Sequence, residues 1–317
     1  MQLHLRVSIL VVVGVRLEHL TVRYGVHLAV DDLTTEFGPG AVALLGRNGA
    51  GKSSVLRALL GLVRPASGRV RFLDLPPDAD ATVIRRHVGY MPEREAQVPG
   101  ASAFDQVALL GSLSGLERRT SWRRAHEVLY LVGLGEQRYR PVAGYSAGMR
   151  QKAKLAGALV HDPKVVFLDE PTNGLDPAGR DEMLRLIRQL AVEFGKSIVF
   201  STHILTDVAS VCRAAVVIDH GRIVAQGTLE ELTSGEAHRY AVTVEDADGS
   251  LPARLAKLGS ATQCGVGRFT VHLGSGVGVD GVYRAVFEAG GVVTGLEHLR
   301  RTLEEVFLHA VAARGAR

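Results

Sequence analysis

The chain has 317 residues, 46% hydrophobic and 22% charged, proportions that exclude a disordered or collagen-like polymer. Lys and Arg number 37 against 33 Asp and Glu, a formal net charge of +4 that suits a phosphate-bearing ligand but falls short of a nucleic-acid binder. The two cysteines, Cys212 and Cys264, form neither a disulfide framework nor a Cys-x-x-Cys metal pair, which fits a reducing compartment.

The most apolar stretch near the start, Val7 to Val15, is about nine residues long, where a membrane-spanning helix needs roughly 20. It lacks the small-residue cleavage site of a signal peptide, so residues 1–14 read as an N-terminal extension. A β-strand, or a start codon assigned too early, accounts for it. From Val15 to Val22 apolar and polar residues alternate as in a half-buried strand, and a less regular strand follows from Leu28 to Phe37. Ala41 to Leu45 is a continuous apolar run, the mark of a strand buried on both faces. A helical pattern then runs from Lys52 to Leu62, and Pro65 and Gly68 punctuate its exit.

Residues from Ala101 to Gly148 read as mostly helical, with Arg118, Arg119, Arg123 and Arg124 as a basic cluster. Surface charge is common, so a solvated helix end is preferred there over a docking face. Val165 to Leu168, Ser197 to Phe200 and Ala214 to Ile218 are further buried strands. A helix lies between the first two, with Asp176 as N-cap, Pro177 at its first position and Gly195 beyond its end. Strands and helices alternating in this way predict an α/β fold around a parallel sheet.

The composition shifts near Leu232 to Ala237. Beyond it, strand-like stretches (Tyr240 to Val244, Phe269 to Leu273, Val292 to Leu296) alternate with helix-like ones (Leu251 to Leu258, Gly281 to Ala289). Thr302 and Glu305 make a capping box before a last helix. This predicts a small α+β domain over 236–317, with a ferredoxin-like arrangement as one solution. The residues between Gly276 and Gly281 match G-x-G-x-x-G, but no βαβ unit surrounds them, and they read as a loop.

Three motifs carry chemistry. Gly46-Arg-Asn48-Gly49-Ala50-Gly51-Lys52-Ser53 matches G-x-x-x-x-G-K-[ST] between a buried strand and a helix, the context that defines a phosphate-binding P-loop. Its backbone N–H groups, with Ser54 in the first helical turn, would wrap phosphates. Lys52 would reach the β- and γ-phosphates, and Ser53 would ligate Mg²⁺. Val165-Val-Phe-Leu-Asp169-Glu170 is an apolar strand ending in two acids. Asp169 would hold Mg²⁺ and Glu170 would polarise an attacking water. Tyr145-Ser146-Ala-Gly148-Met149-Arg-Gln precedes that strand and leads into a helix.

These elements together resemble the ABC ATPases over roughly residues 15–228. The 145–149 segment resembles their signature, Leu-Ser-Gly-Gly-Gln, departing at its first, third and last positions. His203 matches the switch histidine, and Asn173 to Asp176 match the D-loop. Val88 to Glu93 match the Q-loop, with Glu93 where most members have glutamine, and Tyr24 matches the aromatic that stacks on adenine. The resemblance implies a P-loop ATPase domain over 15–235, with a parallel-sheet core, an antiparallel β subdomain and a helical subdomain.

It also implies ATP and Mg²⁺ as cofactors. Two copies would meet head to tail, each ATP lying between the P-loop of one and Ser146 and Gly148 of the other. Glu93, the signature and the closing Leu303 to Leu308 (Leu-Glu-Glu-Val-Phe-Leu) are similar to the bacterial type-2 exporter branch. That implies a separate transmembrane permease, a place on the cytoplasmic face of the membrane, and no nucleic acid. The competing readings are a soluble ABC ATPase acting on DNA or ribosomes, and a non-hydrolysing regulatory subunit. Lys52 and Ser146 stand too close for the long coiled coil of repair-type members, and the retention of Lys52, Asp169, Glu170 and His203 opposes the regulatory reading. For the C-terminal domain, regulation, dimerisation and docking all stay open.

Overall fold

The computed structural model describes residues 14–308, apart from 73–74, 77–78, 95–97, 235–237, 275 and 300. The reading of Val7 to Val13, and with it nearly all of the extension, lies outside the described residues. The chain divides into two compact units, the first ending at Leu229 and the second beginning at Glu230.

In the first unit β1 (Val15–Tyr24) pairs with β2 (His27–Phe37) and β4 (Ser67–Phe72) in an antiparallel sheet of order β2-β1-β4. Strict alternation along β1 would bury Val15, Leu17 and residue 19. Instead His19 takes a left-handed φ of 51° and the register slips between Leu17 and Leu20, so that Leu20 and Val22 return to the core. Those side chains pack with Val55, Leu56 and Leu59 of α1 (Lys52–Leu59) and with Val42 and Leu44 of β3 (Ala41–Leu45).

The second sheet has the order β5-β6-β7-β3-β8-β9, from β5 (Val88–Met91), β6 (Val165–Asp169), β7 (Ser197–Thr202), β8 (Ala214–Asp219) and β9 (Arg222–Thr228). All neighbours are parallel except β8 and β9. Every residue of β3, β6 and β7 is buried, which is why these strands read as unbroken apolar runs. α2 (Ala81–His87) leads into β5, while α6 (Pro177–Val192) and α7 (Leu205–Val211) flank β7. α3 (Ala103–Leu113), α4 (Arg118–Leu131) and α5 (Ala147–Leu159) pack together as a helical subdomain.

Some expectations need correction. The helix from Lys52 stops at Leu59, because Gly61 turns left-handed (φ 65°) and Leu60 and Gly61 donate back to Leu56 and Ala58. The segment after Pro65 is not merely an exit: β4 forms there, and β9 forms after β8. The basic cluster divides. Arg124 donates to the Val160 carbonyl at 3.2 Å and to Glu127 at 2.8 Å, and Arg118 stacks over Trp122 at 5.3 Å. Arg119 and Arg123 remain at the exposed helix surface.

The short α8 (Leu229–Thr233) precedes the second unit's sheet. That unit runs β10 (Arg239–Glu245), α9 (Leu251–Ala256), β11 (Gly259–Gly265), β12 (Arg268–Leu273), α10 (Asp280–Glu288) and β13 (Val292–His298). The antiparallel sheet order β11-β12-β10-β13 is the split βαββαβ arrangement of ferredoxin-like domains. Val242, Val244, Phe269 and Val271 of the sheet pack against Leu251 and Leu255 of α9 and Val282 and Val286 of α10. β11 had no counterpart in the sequence reading. The capping box forms: Thr302 N–H donates to Glu305 at 3.0 Å, and Glu305 N–H to the Thr302 hydroxyl at 3.2 Å. The Thr302 N–H first, and the Arg239 guanidinium next, hold the Glu305 carboxyl below the usual carboxylate range.

Candidate functional site

The loop between β3 and α1 is shaped by its glycines. Gly51 has φ 106°, and a Cβ there would lie 2.5 Å from the Ala29 carbonyl oxygen. At Gly46 a Cβ would lie 2.5 Å from the Ile218 carbonyl. Any other residue at either place would push the loop off its bed. Ala50 is buried, and its carbonyl accepts from Gly221 N–H at 2.9 Å, which fixes the loop from the β8–β9 turn. No side chain caps α1 and its first turn holds no acid. Its leading N–H groups therefore suit an anion, and the helix dipole adds to their attraction.

Lys52 is 7% exposed and donates to the Gly46 carbonyl at 2.7 Å. Its ammonium also lies 3.4 Å from Glu170 Oε1. Glu170, 6% exposed, follows β6 with a left-handed φ of 49°, a costly conformation for this residue type. Its N–H donates to both the carbonyl and the hydroxyl of Ser201, each at 3.1 Å, which stabilises that turn. His203 Nδ1 lies 3.1 and 3.0 Å from the two Glu170 oxygens. An ionised carboxylate only accepts, so Nδ1 carries the proton and Nε2 is left for another partner. Asp169 accepts from the Ser201 hydroxyl at 2.6 Å. It also accepts from the Tyr90 phenol, which is pushed up to about 12 by burial first and by the Asp169 charge next.

An open cavity of about 370 Å³ gathers most of the predicted residues: Tyr24, Asn48, Gly49, Gly51, Lys52, Ser53, Ser54, Glu93 and Glu170 line it. His27, Ala29 and Arg47 line it too and were missed. The first two stand just past Tyr24 and Arg47 is a variable position of the loop, so only adjacency could have found them. Asp169 and His203 join through their contacts with Ser201 and Glu170. Ser146, Gly148 and Asp176 do not line the cavity. Within this chain Ser146 caps α5, accepting from Met149 N–H at 3.3 Å, and Asp176 caps α6, accepting from Gly179 N–H at 2.8 Å.

A buried cluster beside these loops had no sequence signal. Asp207 is 1% exposed and accepts from the Thr172 hydroxyl at 2.7 Å and from Arg180 Nε at 2.6 Å. It ties the segment after Glu170 and the start of α6 to the helix that follows His203. Gln151 of α5 adds a bond to the Asn173 carbonyl at 3.1 Å. Asp207→Ala is expected to cost about 2–3 kcal/mol, because it leaves a half-buried guanidinium and a hydroxyl unpaired. Urea unfolding checks this, and Asp207→Asn, which retains acceptor capacity, should lose less.

A second hollow, about 520 Å³, lies where α2, α3 and α5 meet, with Leu60, Leu62, Leu110 and Leu113 on its walls. Arg85, Arg86 and Lys154 border it, and none of its described lining residues is acidic.

Comparison with known proteins agrees with this geometry. The family described as ABC transporter matches residues 30–173. An uncharacterized ABC transporter ATP-binding protein of Bacillus subtilis, YxlF, is 39% identical over 217 residues, covering 68% of this chain and 71% of its own. The daunorubicin resistance ATP-binding protein DrrA3 of Streptomyces coeruleorubidus is 35% identical over 296 residues, covering 90% of this chain and 92% of its own. The solved structure of cbiO1 from Clostridium perfringens aligns with TM-score 0.63 at 27% identity, over 71% of this chain and 92% of that one. A phosphate-shaped loop, the paired acids behind it and relatives of this extent lead to one conclusion: the chain belongs to the ATP-binding proteins of the ABC transporter family.

Proposed function

We propose that this chain binds and hydrolyses ATP to power a membrane exporter, working as a head-to-tail pair of copies on the cytoplasmic face of the membrane. The observation that carries the reading is the split between two sets of residues. Those from the P-loop and Glu170 converge on one cavity, whereas Ser146, Gly148 and Asp176 lie off it. In a head-to-tail pair they would meet the nucleotide held by the other copy. DrrA3, related along most of its length, is named for drug resistance, which supports export.

Tyr24 stacks on the adenine, and Gly46 to Ser54 hold the phosphates. Lys52 moves from the Gly46 carbonyl onto the β- and γ-phosphates, a short swing for a flexible stem. The oxygen donors Ser53, Asp169 and Glu93 suit Mg²⁺, a hard cation. Asp169 fits this role because two donors leave part of its carboxylate's acceptor capacity unused. Held by these oxygens, Mg²⁺ would supply neutralisation of the phosphate charge. Glu170 then takes the proton of the attacking water, and His203 holds that carboxylate in place by donating Nδ1–H to it. Glu93 places an extra negative charge at the cavity wall, where a glutamine would be neutral.

The apolar hollow between α2, α3 and α5, with its basic border, is the docking place for the transmembrane partner. Leu62, Leu110 and Leu113, three exposed leucines, line this one hollow, and a grouped apolar patch rimmed by charge marks an interaction surface where a single exposed leucine would not. The test is co-expression with a candidate permease, a protein with several apolar runs of about 20 residues encoded in a neighbouring reading frame. Leu113→Glu should abolish co-purification while ATP hydrolysis by the purified chain stays within twofold. Undiminished co-purification would overturn the docking assignment, and wild type without ATPase activity would overturn the motor reading.

A further inference from the structure

β11 is the outermost strand of the ferredoxin-like sheet, with β12 as its neighbour on one side and no described strand on the other. Natural edge strands are commonly guarded by charge, proline or irregular backbone. The opposite edge, β13, has such guards: it carries Glu297 and His298, and its register against β10 slips after Thr243. β11 reads Gly-Ser-Ala-Thr-Gln-Cys-Gly, with no charge and no proline; its register slips only after Gln263, so the pairing is regular from Gly259 to Gln263. All of its residues but Ala261 are exposed.

The hydrogen-bond phase shows which groups the edge presents. Gly274 N–H donates to the Leu258 carbonyl at 2.7 Å, and Leu273, opposite Gly259, turns its N–H away to the His238 carbonyl at 2.7 Å. In an antiparallel ladder bonded and non-bonded pairs alternate. Ser260 and Thr262 therefore face β12, and Gly259, Ala261 and Gln263 turn their N–H and C=O outward.

That row is self-complementary. About a two-fold axis at Ala261, Gly259 meets Gln263 of the second copy, Ala261 meets itself and Gln263 meets Gly259, and each pair exchanges two bonds. Ser260 then lies beside Thr262 of the second copy. All these side chains are small or uncharged, so nothing repels. We propose that β11 pairs antiparallel with β11 of a second copy of this chain, joining the two C-terminal domains in one continuous sheet whether or not nucleotide is bound. A second copy is chosen because the row pairs with itself through the same residues, as a two-fold interface requires, and the contact does not wait for the ATP-driven pairing of the nucleotide domains. The contact itself uses no residue of the nucleotide site.

Sedimentation of the full chain without nucleotide tests it. Wild type is expected to dimerise, and Ala261→Pro, which removes an outward N–H at an edge that tolerates proline, should weaken the dimer at least tenfold with unchanged thermal unfolding. Gln263→Lys serves as a second variant should the proline disturb the fold. In a Cys264→Ser background, Ala261→Cys should form an intermolecular disulfide on oxidation, because Cα atoms of such a pair stand about 5.5 Å apart. A wild type that stays monomeric, a dimer indifferent to both substitutions, or an absent disulfide would overturn the proposal. The head-to-tail reading is judged separately: Ala261→Pro combined with Glu170→Gln should still dimerise when ATP is added.

Discussion

Glu170→Gln is expected to lower ATP turnover by about 10²- to 10⁴-fold, the usual range for losing a positioned general base. Glutamine has the same shape and still accepts a hydrogen bond from His203 Nδ1, which lies 3.0 Å from the carboxylate. It cannot take a proton from water. Since Lys52, Ser53 and the loop glycines are untouched, ATP binding should survive. The variant should then accumulate as a nucleotide-bound dimer, because hydrolysis no longer separates the copies. Steady-state phosphate release measures the first effect, and sedimentation with and without ATP, in an Ala261→Pro background that removes the nucleotide-independent contact, measures the second. Turnover close to wild type would remove Glu170 from the role of base. A strictly monomeric variant with ATP would sink the head-to-tail arrangement.

For Lys52→Ala the loss falls on binding. The ammonium is 7% exposed, so its hydrogen bonds to phosphate would be charge-assisted and poorly screened. Two such bonds at about 1.5–3 kcal/mol each correspond to at least a 100-fold weaker ATP affinity. Titration with a fluorescent ATP analogue reads this directly. The substitution also removes the cation 3.4 Å from Glu170, leaving a 6%-exposed carboxylate with His203 as its nearby donor. The nucleotide-free protein should therefore lose about 1–3 kcal/mol of stability, seen as a lower urea midpoint. The two variants separate the roles: glutamine at 170 leaves a protein that binds and stalls, and alanine at 52 leaves one that hardly binds. Normal affinity in Lys52→Ala would place the phosphates away from this loop.

The nucleotide loop was legible because its constraints are local. Gly46, Gly51 and Lys52 are neighbours in the chain, and each residue type answers to a backbone angle or a charge required at that spot. The buried strands were legible for a similar reason: β3, β6 and β7 are covered on both faces, so their sequences are apolar throughout. β4, β9 and β11 escaped notice because the sequences Ser-Gly-Arg-Val-Arg-Phe, Arg-Ile-Val-Ala-Gln-Gly-Thr and Gly-Ser-Ala-Thr-Gln-Cys-Gly carry too little apolar periodicity. They are strands by virtue of the neighbour they bond to, which lies elsewhere in the chain.

The same division runs through the site. Sequence alone determined that this protein has a P-loop, a pair of acids after a buried strand, and a separate C-terminal α+β domain, since each is written in contiguous residues. Tertiary structure alone decided that His203 would orient on Glu170, that Tyr90 and Ser201 would hold Asp169, and that Asp207 would tie Thr172 to Arg180. Those partners are separated by tens of residues. They meet because parallel strands place the ends of β5, β6 and β7 side by side, and a hydrogen bond between side chains leaves no periodic trace in either segment.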